Sequence, residues 1–255
     1  MSTISDAVVE LRHVAKAFRV DGRIVQALED VSLEARSEEF VTLIGPSGCG
    51  KSTLLNLISG LMEPDAGEIL LHGERDRPRL GRVGYMPQKD LLLPWRSVLD
   101  NILLGPEIQR RNLDEARREA RELLPLFGLQ GFENSYPSAL SGGMRQRAAL
   151  MRTFMCHQEI ILLDEPFGAL DALTRRTMRC WLMDVWARFQ QTVLFVTHDV
   201  EEAVFLSDRI YVLSPRPARV VHNLTVELPR PRDEHLVADP RFIAYRERIL
   251  AELGV

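Results

Sequence analysis

At 255 residues, with 45% apolar and 27% charged side chains, the chain carries enough apolar material for the core of one domain with an inserted subdomain. A formal net charge of −4 argues against a broad basic face, and with it against nucleic acid as a main partner. Cys49, Cys156 and Cys180 show no paired spacing and no histidine in a ligand pattern, so they read as reduced thiols rather than zinc ligands or disulfide partners.

Residues 1–10 lack the basic flank and long apolar stretch of a secretory leader and read as the start of the mature protein. Short apolar alternation at 8–11 and 31–35, around the turn-like Asp21-Gly22, predicts an N-terminal antiparallel β region. Phe40-Val41-Thr42-Leu43-Ile44 predicts a buried strand, and 52–60 has helical apolar spacing up to Gly60. Between Gln88 and His157 the pattern becomes helical, at 113–127 and again at 145–154 after Gly142-Gly143. The charges at 114–119 read as a solvated helix face with i,i+4 pairing. Apolar runs at 159–163 and 192–197, each stopped by charged residues, predict central strands of a parallel sheet. From Ser214 the chain is rich in Pro and Arg, ending in a short helix at 242–253. The expected organisation is one domain over 1–255, with a core from 1–88 and 158–214, a helical subdomain at 89–157 and a tail at 215–255. No run approaches the roughly 18 consecutive apolar residues of a membrane span, so a membrane role requires a partner.

Gly45-Pro46-Ser47-Gly48-Cys49-Gly50-Lys51-Ser52 has the G-x-x-x-x-G-K-[ST] spacing of a phosphate loop and lies between predicted strand and helix. Glycines let successive N–H groups face the phosphates of ATP, and the helix that follows adds its positive end. In this reading Lys51 reaches the β- and γ-phosphates, the Ser52 hydroxyl ligates Mg²⁺ and Thr53 meets the α-phosphate. Cys49 is a tolerated small loop residue. The strand at 159–163 delivers Asp164 and Glu165 at its C-terminal end, where ligands gather in parallel α/β sheets. Asp164 is expected beside Mg²⁺ and Glu165 is the candidate base for the attacking water. The strand at 192–197 ends at His198, placed to touch the γ-phosphate and Glu165, while His13, His72, His157, His222 and His235 read as surface or packing residues.

Leu140-Ser141-Gly142-Gly143-Met144-Arg145-Gln146-Arg147 resembles the signature motif of ATP-binding cassette ATPases, in which a hydroxyl and bare N–H groups at a helix start form a second anion site. Gln88 in Tyr85-Met86-Pro87-Gln88 resembles that family's Q-loop glutamine, which senses Mg²⁺ and the attacking water. Gly168-Ala169-Leu170-Asp171 resembles its D-loop, and Phe18 stands where an aromatic stacks on adenine. Met144 departs from the glutamine of many relatives. The resemblance implies an α/β phosphate-loop NTPase fold with a RecA-like parallel core, and sites shared head to tail with a second ATPase subunit in a homodimer. Lys89-Asp90-Leu91-Leu92-Leu93-Pro94-Trp95-Arg96-Ser97-Val98-Leu99-Asp100-Asn101 is similar to the nitrate, sulfonate and taurine importer group, which includes aminopyrimidine- and riboflavin-like relatives. That similarity implies a bacterial importer subunit on the cytoplasmic face of the membrane, partnered by permease subunits and indirectly by a solute-binding protein. Apolar 91–93 and Trp95 are then candidates for the permease groove. The alternative is a soluble cassette ATPase of a cytosolic assembly machine.

Overall fold

The hairpin expected around Asp21-Gly22 forms in the computed structural model, which describes residues 7–75 and 77–254. The reading of the extreme N-terminus falls largely on 1–6, outside the described residues. Strands β1 (Ala7–Val20) and β2 (Arg23–Arg36) pair antiparallel, with φ of 48° at Asp21 and 76° at Gly22, a turn conformation that these two residue types tolerate. Then follow β3 (Phe40–Ile44), α1 (Lys51–Ile58), β4 (Ala66–Leu71) and β5 (Gly84–Met86). A helical stretch holds α2 (Val98–Ile102), α3 (Leu104–Ile108), α4 (Leu113–Leu123) and α5 (Gly142–Phe154). The chain returns through β6 (Ile160–Asp164), α6 (Ala172–Phe189), β7 (Thr192–Thr197), α7 (Val200–Leu206), β8 (Arg209–Leu213), β9 (Val220–Thr225) and α8 (Pro240–Leu253).

Two sheets result: an antiparallel one in the order β2-β1-β4, and a six-stranded one in the order β5-β6-β7-β3-β8-β9. The larger sheet is parallel through β8, with β9 antiparallel at its edge. Strands β3, β6 and β7 are buried along their whole length because both faces are covered. Period-two alternation divides their side chains. Phe40, Ile161, Leu163, Val193 and Phe195 face the core under the helical stretch, α6, α7 and α8. Val41, Leu43, Ile160, Leu162, Leu194 and Val196 face α1 and the antiparallel sheet. Registers Ile44 with Thr197, and Asp164 with Val196, align the C-terminal ends of three adjacent strands. Whatever follows β3, β6 and β7 therefore converges on one edge.

One helix boundary moves for an identifiable reason. Helix α4 buries Ala116, Ala120 and Leu123 and starts on an Asn112 cap whose Oδ1 accepts from Asp114 and Glu115 N–H. Its charged face is solvated, as expected, but it stops at Leu123 rather than 127, since Pro125 cannot continue an α-helix. Helix α5, by contrast, begins at Gly142 on a Ser141 cap, at the helix start expected of Ser141 and the two glycines.

The segment from 215 is integrated into the fold rather than appended to it. Residues 220–225 form β9, paired with β8. The buried Arg232 donates to the carbonyls of Val204, Phe205 and Ser207 at the end of α7, where a helix leaves carbonyls without intrahelical partners. Arg230 stacks on Trp186 at 4.2 Å and pairs with Asp208 at 2.7 Å. The planar guanidinium satisfies carbonyls that a lysine would reach singly. Among the described residues, no helix is long and apolar enough to cross a membrane.

Candidate nucleotide site

The loop after β3 wraps tightly before α1. Gly50, at φ 130°, leaves no room for a side chain, since a Cβ would lie 2.8 Å from Leu28 Cδ2. Cys49 is more than a tolerated loop residue: it is buried against the apolar cluster below, and burial pushes its thiol up despite the nearby Lys51. Lys51 is itself only 4% exposed, and its Nζ donates to the carbonyls of Gly45 at 2.8 Å and Pro46 at 3.1 Å. The loop thus holds its own lysine in place. A cavity of ≈ 380 Å³ opens here, lined by Ser47, Gly48, Gly50, Lys51, Ser52, Thr53, Gln88, Glu165 and Arg216. A larger crevice of ≈ 490 Å³ lies at the opposite ends of β3, β6 and β7 and contains none of the motif residues. Chemistry rather than size identifies the site.

Glu165 is the point where the motifs meet. Its Oε2 accepts from Gln88 Nε2 at 3.4 Å and lies 3.2 Å from His198 Nδ1, while Oε1 lies 3.9 Å from Lys51 Nζ. Its backbone, at φ 45°, is held by Glu165 N–H to Val196 C=O and by Gly168 N–H to Glu165 C=O, both at 3.0 Å. A non-glycine residue in that region is uncommon and persists where surrounding contacts over-determine it.

Asp164 is 3% exposed, and its Oδ1 has no hydrogen-bond partner among the described residues. Burial pushes its carboxyl up, the Ser52 hydroxyl opposes this, and the Glu165 charge adds to it. An orphaned carboxylate oxygen beside a hydroxyl is a donor set suited to a hard cation and its waters.

Not all expected residues join this cavity. Ser141 Oγ accepts from Met144 N–H at 3.3 Å, and Ser141, Gly142 and Gly143 lie outside the cavity lining. Gly143 faces the start of α6, where a Cβ would sit 3.4 Å from Thr174 Cγ2. Asp171 caps α6, accepting from Thr174 N–H at 3.0 Å and Thr174 Oγ1 at 2.6 Å, and these bonds hold its carboxyl below the ordinary range. Phe18 is partly buried against the antiparallel sheet's core, pairs with Val25 and carries Lys16 Nζ 5.9 Å from its ring centroid. It does not line the phosphate cavity. His13, His72 and His157 pair with Asp30, Glu159 and Glu119.

Two functional candidates escape sequence reasoning. Arg216 lines the cavity from the turn after β8, masked in the sequence by its flanking prolines. Arg175 ties the 168–171 loop to the segment after β7: it donates to Leu170 C=O at 3.1 Å and Asp199 Oδ2 at 3.3 Å, and its Nε lies 3.6 Å from Glu202 Oε1. No local pattern marks a residue whose partners are 24 and 27 positions away.

A strand–loop–helix phosphate cradle, flanked by strands that end in a carboxylate pair and a histidine, defines a phosphate-loop nucleotide-hydrolysing protein of the mixed α/β class. The family profile described as ABC transporter matches residues 28–168, more than half of the sequence, and the chain belongs to that family. The cassette binds and hydrolyses ATP. It is 44% identical over 238 residues to the taurine import ATP-binding protein TauB of Rhizobium johnstonii, covering 91% of this chain and 90% of that protein. It is 45% identical over 203 residues to the formylaminopyrimidine import ATP-binding protein ThiZ of Halalkalibacterium halodurans, covering 79% and 78%. A dimeric post-hydrolysis structure of the ATP-binding cassette MJ0796, bound to ADP and Pi, superposes with a TM-score of 0.75 at 32% identity, covering 87% of this chain and 100% of that one.

Proposed function

We propose that this chain is the ATP-hydrolysing subunit of an importer, acting as a head-to-tail homodimer on permease subunits at the cytoplasmic membrane face. The observation that carries this reading is the separation of two anion sites in one chain. Ser141, Gly142 and Gly143 open α5 with N–H groups that have no partner among the described residues, yet they stand outside the phosphate cavity that they would complete. A second copy supplies them. The solved dimer of a related cassette supports this arrangement.

In the composite site the loop N–H groups and Lys51 hold the β- and γ-phosphates, and Thr53 meets the α-phosphate. Ser52, Gln88 and Asp164 are the residues that would hold Mg²⁺, which supplies charge neutralisation on the phosphate oxygens when bound. Glu165 takes the proton of the attacking water, and His198, on its Oε2, orients it. Ser141 of the second copy contacts the γ-phosphate. Asp171 joins the subunit boundary and Phe18 offers its ring to adenine.

The permease face follows from exposure. Leu91 and Trp95 are exposed, whereas Leu92 is buried, so the expected groove of 91–93 uses alternate residues. Asn101 fixes this loop, accepting from Leu93 N–H at 2.7 Å and donating to the carbonyls of Leu93, Arg96 and Ser97. An adjoining cavity of ≈ 340 Å³ between Trp95, Leu103, Leu113 and Tyr136 suits a short amphipathic helix. Solute choice lies in the permease and its solute-binding protein, a reading supported by the similarity of this cassette to relatives named for taurine and for formylaminopyrimidine import. The same names disfavour the assembly-machine alternative. Ser141→Arg tests the reading: ATP binding persists while ATP-dependent dimerisation, measured by light scattering, is lost. A dimer of wild-type strength in that variant would refute the shared site.

A further inference from the structure

Arg216 sits in the turn between β8 and β9, and its Nε donates to the carbonyl of Gly48, in the phosphate loop, at 3.0 Å. Its Nη2 meets the same oxygen, and Nη1 has no hydrogen-bond partner among the described residues. The base of this side chain is fixed. Ala218 N–H donates to Ala27 C=O at 2.9 Å, Glu29 N–H donates to Ala218 C=O at 2.9 Å, and Ala218 is fully buried. Ser214 N–H donates to Arg219 C=O at 3.0 Å and its Oγ accepts from Arg219 N–H at 3.0 Å, closing the turn. The turn is thus fastened to β2 on one side and reaches over the phosphate loop on the other.

Charge around the cavity gives this contact a purpose. Lys51 is buried, engaged with two loop carbonyls, and shares the site with the carboxylates of Glu165 and Asp164. Arg216 is exposed, and no carboxylate among the described residues lies within ion-pair distance of it. An exposed, unneutralised guanidinium at the mouth of a phosphate cavity is a fork shaped for phosphate oxygens. One edge already holds the loop, and the other faces open space.

We propose that Arg216 is a second cationic contact for the polyphosphate chain of the nucleotide, reaching it from the turn after β8 while anchoring the phosphate loop through Gly48. The proposal rests on the ATP-site reading and extends it to a residue outside every motif of that site. It separates two functions of one side chain: the neutral amide of Arg216→Gln can still donate to Gly48, whereas Arg216→Lys keeps the charge without the fork.

The test measures equilibrium binding of ATP, ADP and adenosine to the full-length chain and its variants at several salt concentrations, with steady-state hydrolysis in parallel. Loss of one charge-assisted contact is expected to weaken ATP and ADP binding about tenfold in Arg216→Gln, and further in Arg216→Glu. Arg216→Lys is expected to stay within about threefold of wild type, adenosine affinity to remain unchanged, and the salt dependence of ATP binding to become shallower in Arg216→Gln. KM for ATP rises while kcat at saturating ATP stays within about twofold. ATP binding by Arg216→Gln equal to wild type overturns the proposal, as does an equal loss in the Gln and Lys variants, which marks a structural role alone. Lys51→Ala is the reference: wild type that binds no ATP would sink the nucleotide-site reading itself, whereas loss in Lys51→Ala with none in Arg216→Gln sinks only this inference.

Discussion

Glu202 lies in the first turn of α7, 3% exposed, with Oε2 accepting from Thr197 Oγ1 at 2.5 Å and Oε1 3.6 Å from Arg175 Nε. Burial pushes its carboxyl from the ordinary 4.5 up to about 7; the Thr197 bond opposes this, the Asp199 charge adds to it, and Arg175 and Arg179 oppose it. A raised carboxyl pKa means that the folded chain binds the proton more tightly than the unfolded chain. The stability this contributes is fully present below pH 4.5 and is lost as pH rises through about 7. At about 1.36 kcal/mol per pH unit, the ceiling on this loss is about 3 kcal/mol, most of it between roughly pH 5 and pH 8. Glu202→Gln keeps an acceptor for Thr197 and removes the titration. Urea unfolding of both proteins at half-unit pH steps isolates the effect, because every other group cancels in the difference. The variant should gain on wild type by about 2 kcal/mol from pH 5 to pH 8. Parallel stability curves, diverging by less than about 0.5 kcal/mol, would refute the buried titration.

Other predictions probe separate parts of the molecule. Arg232→Ala removes three hydrogen bonds to carbonyls at the end of α7, and should cost about 2–4 kcal/mol in urea unfolding with KM for ATP unchanged. Trp95→Asp should leave ATP binding intact but abolish co-purification with the permease and uptake in cells; retained coupling would remove this face from the account. Asn101→Ala, which frees the loop beneath that face, should cost about 1–3 kcal/mol and weaken permease binding in parallel, read by unfolding and pull-down.

The parallel core was legible because β3, β6 and β7 are covered on both faces and therefore appear as continuous apolar runs. Strand β5, with only three residues, and β4, whose first half is exposed, offer no such run. The convergence of Lys51, Glu165 and His198 was expected from strand ends, and the aligned registers produce it. Arg216, Arg230 and Arg232 stand in the sequence only as part of a Pro- and Arg-rich segment. Their partners, Gly48, Trp186 and the end of α7, are distant in sequence, so their burial and contacts arise only in the fold. Asp171, singled out by its resemblance to the D-loop, also caps α6 within its own chain.

Glu165, as the base that activates water at an ATP site completed by a second copy, makes a direct demand on its own amide variant. Single-turnover hydrolysis by Glu165→Gln, followed alongside its oligomeric state in ATP, tests this most directly. Unchanged ATP affinity, hydrolysis slowed at least about 100-fold and an accumulating ATP-bound dimer are the expected result. Turnover within about twofold of wild type, with no dimer, would contradict it.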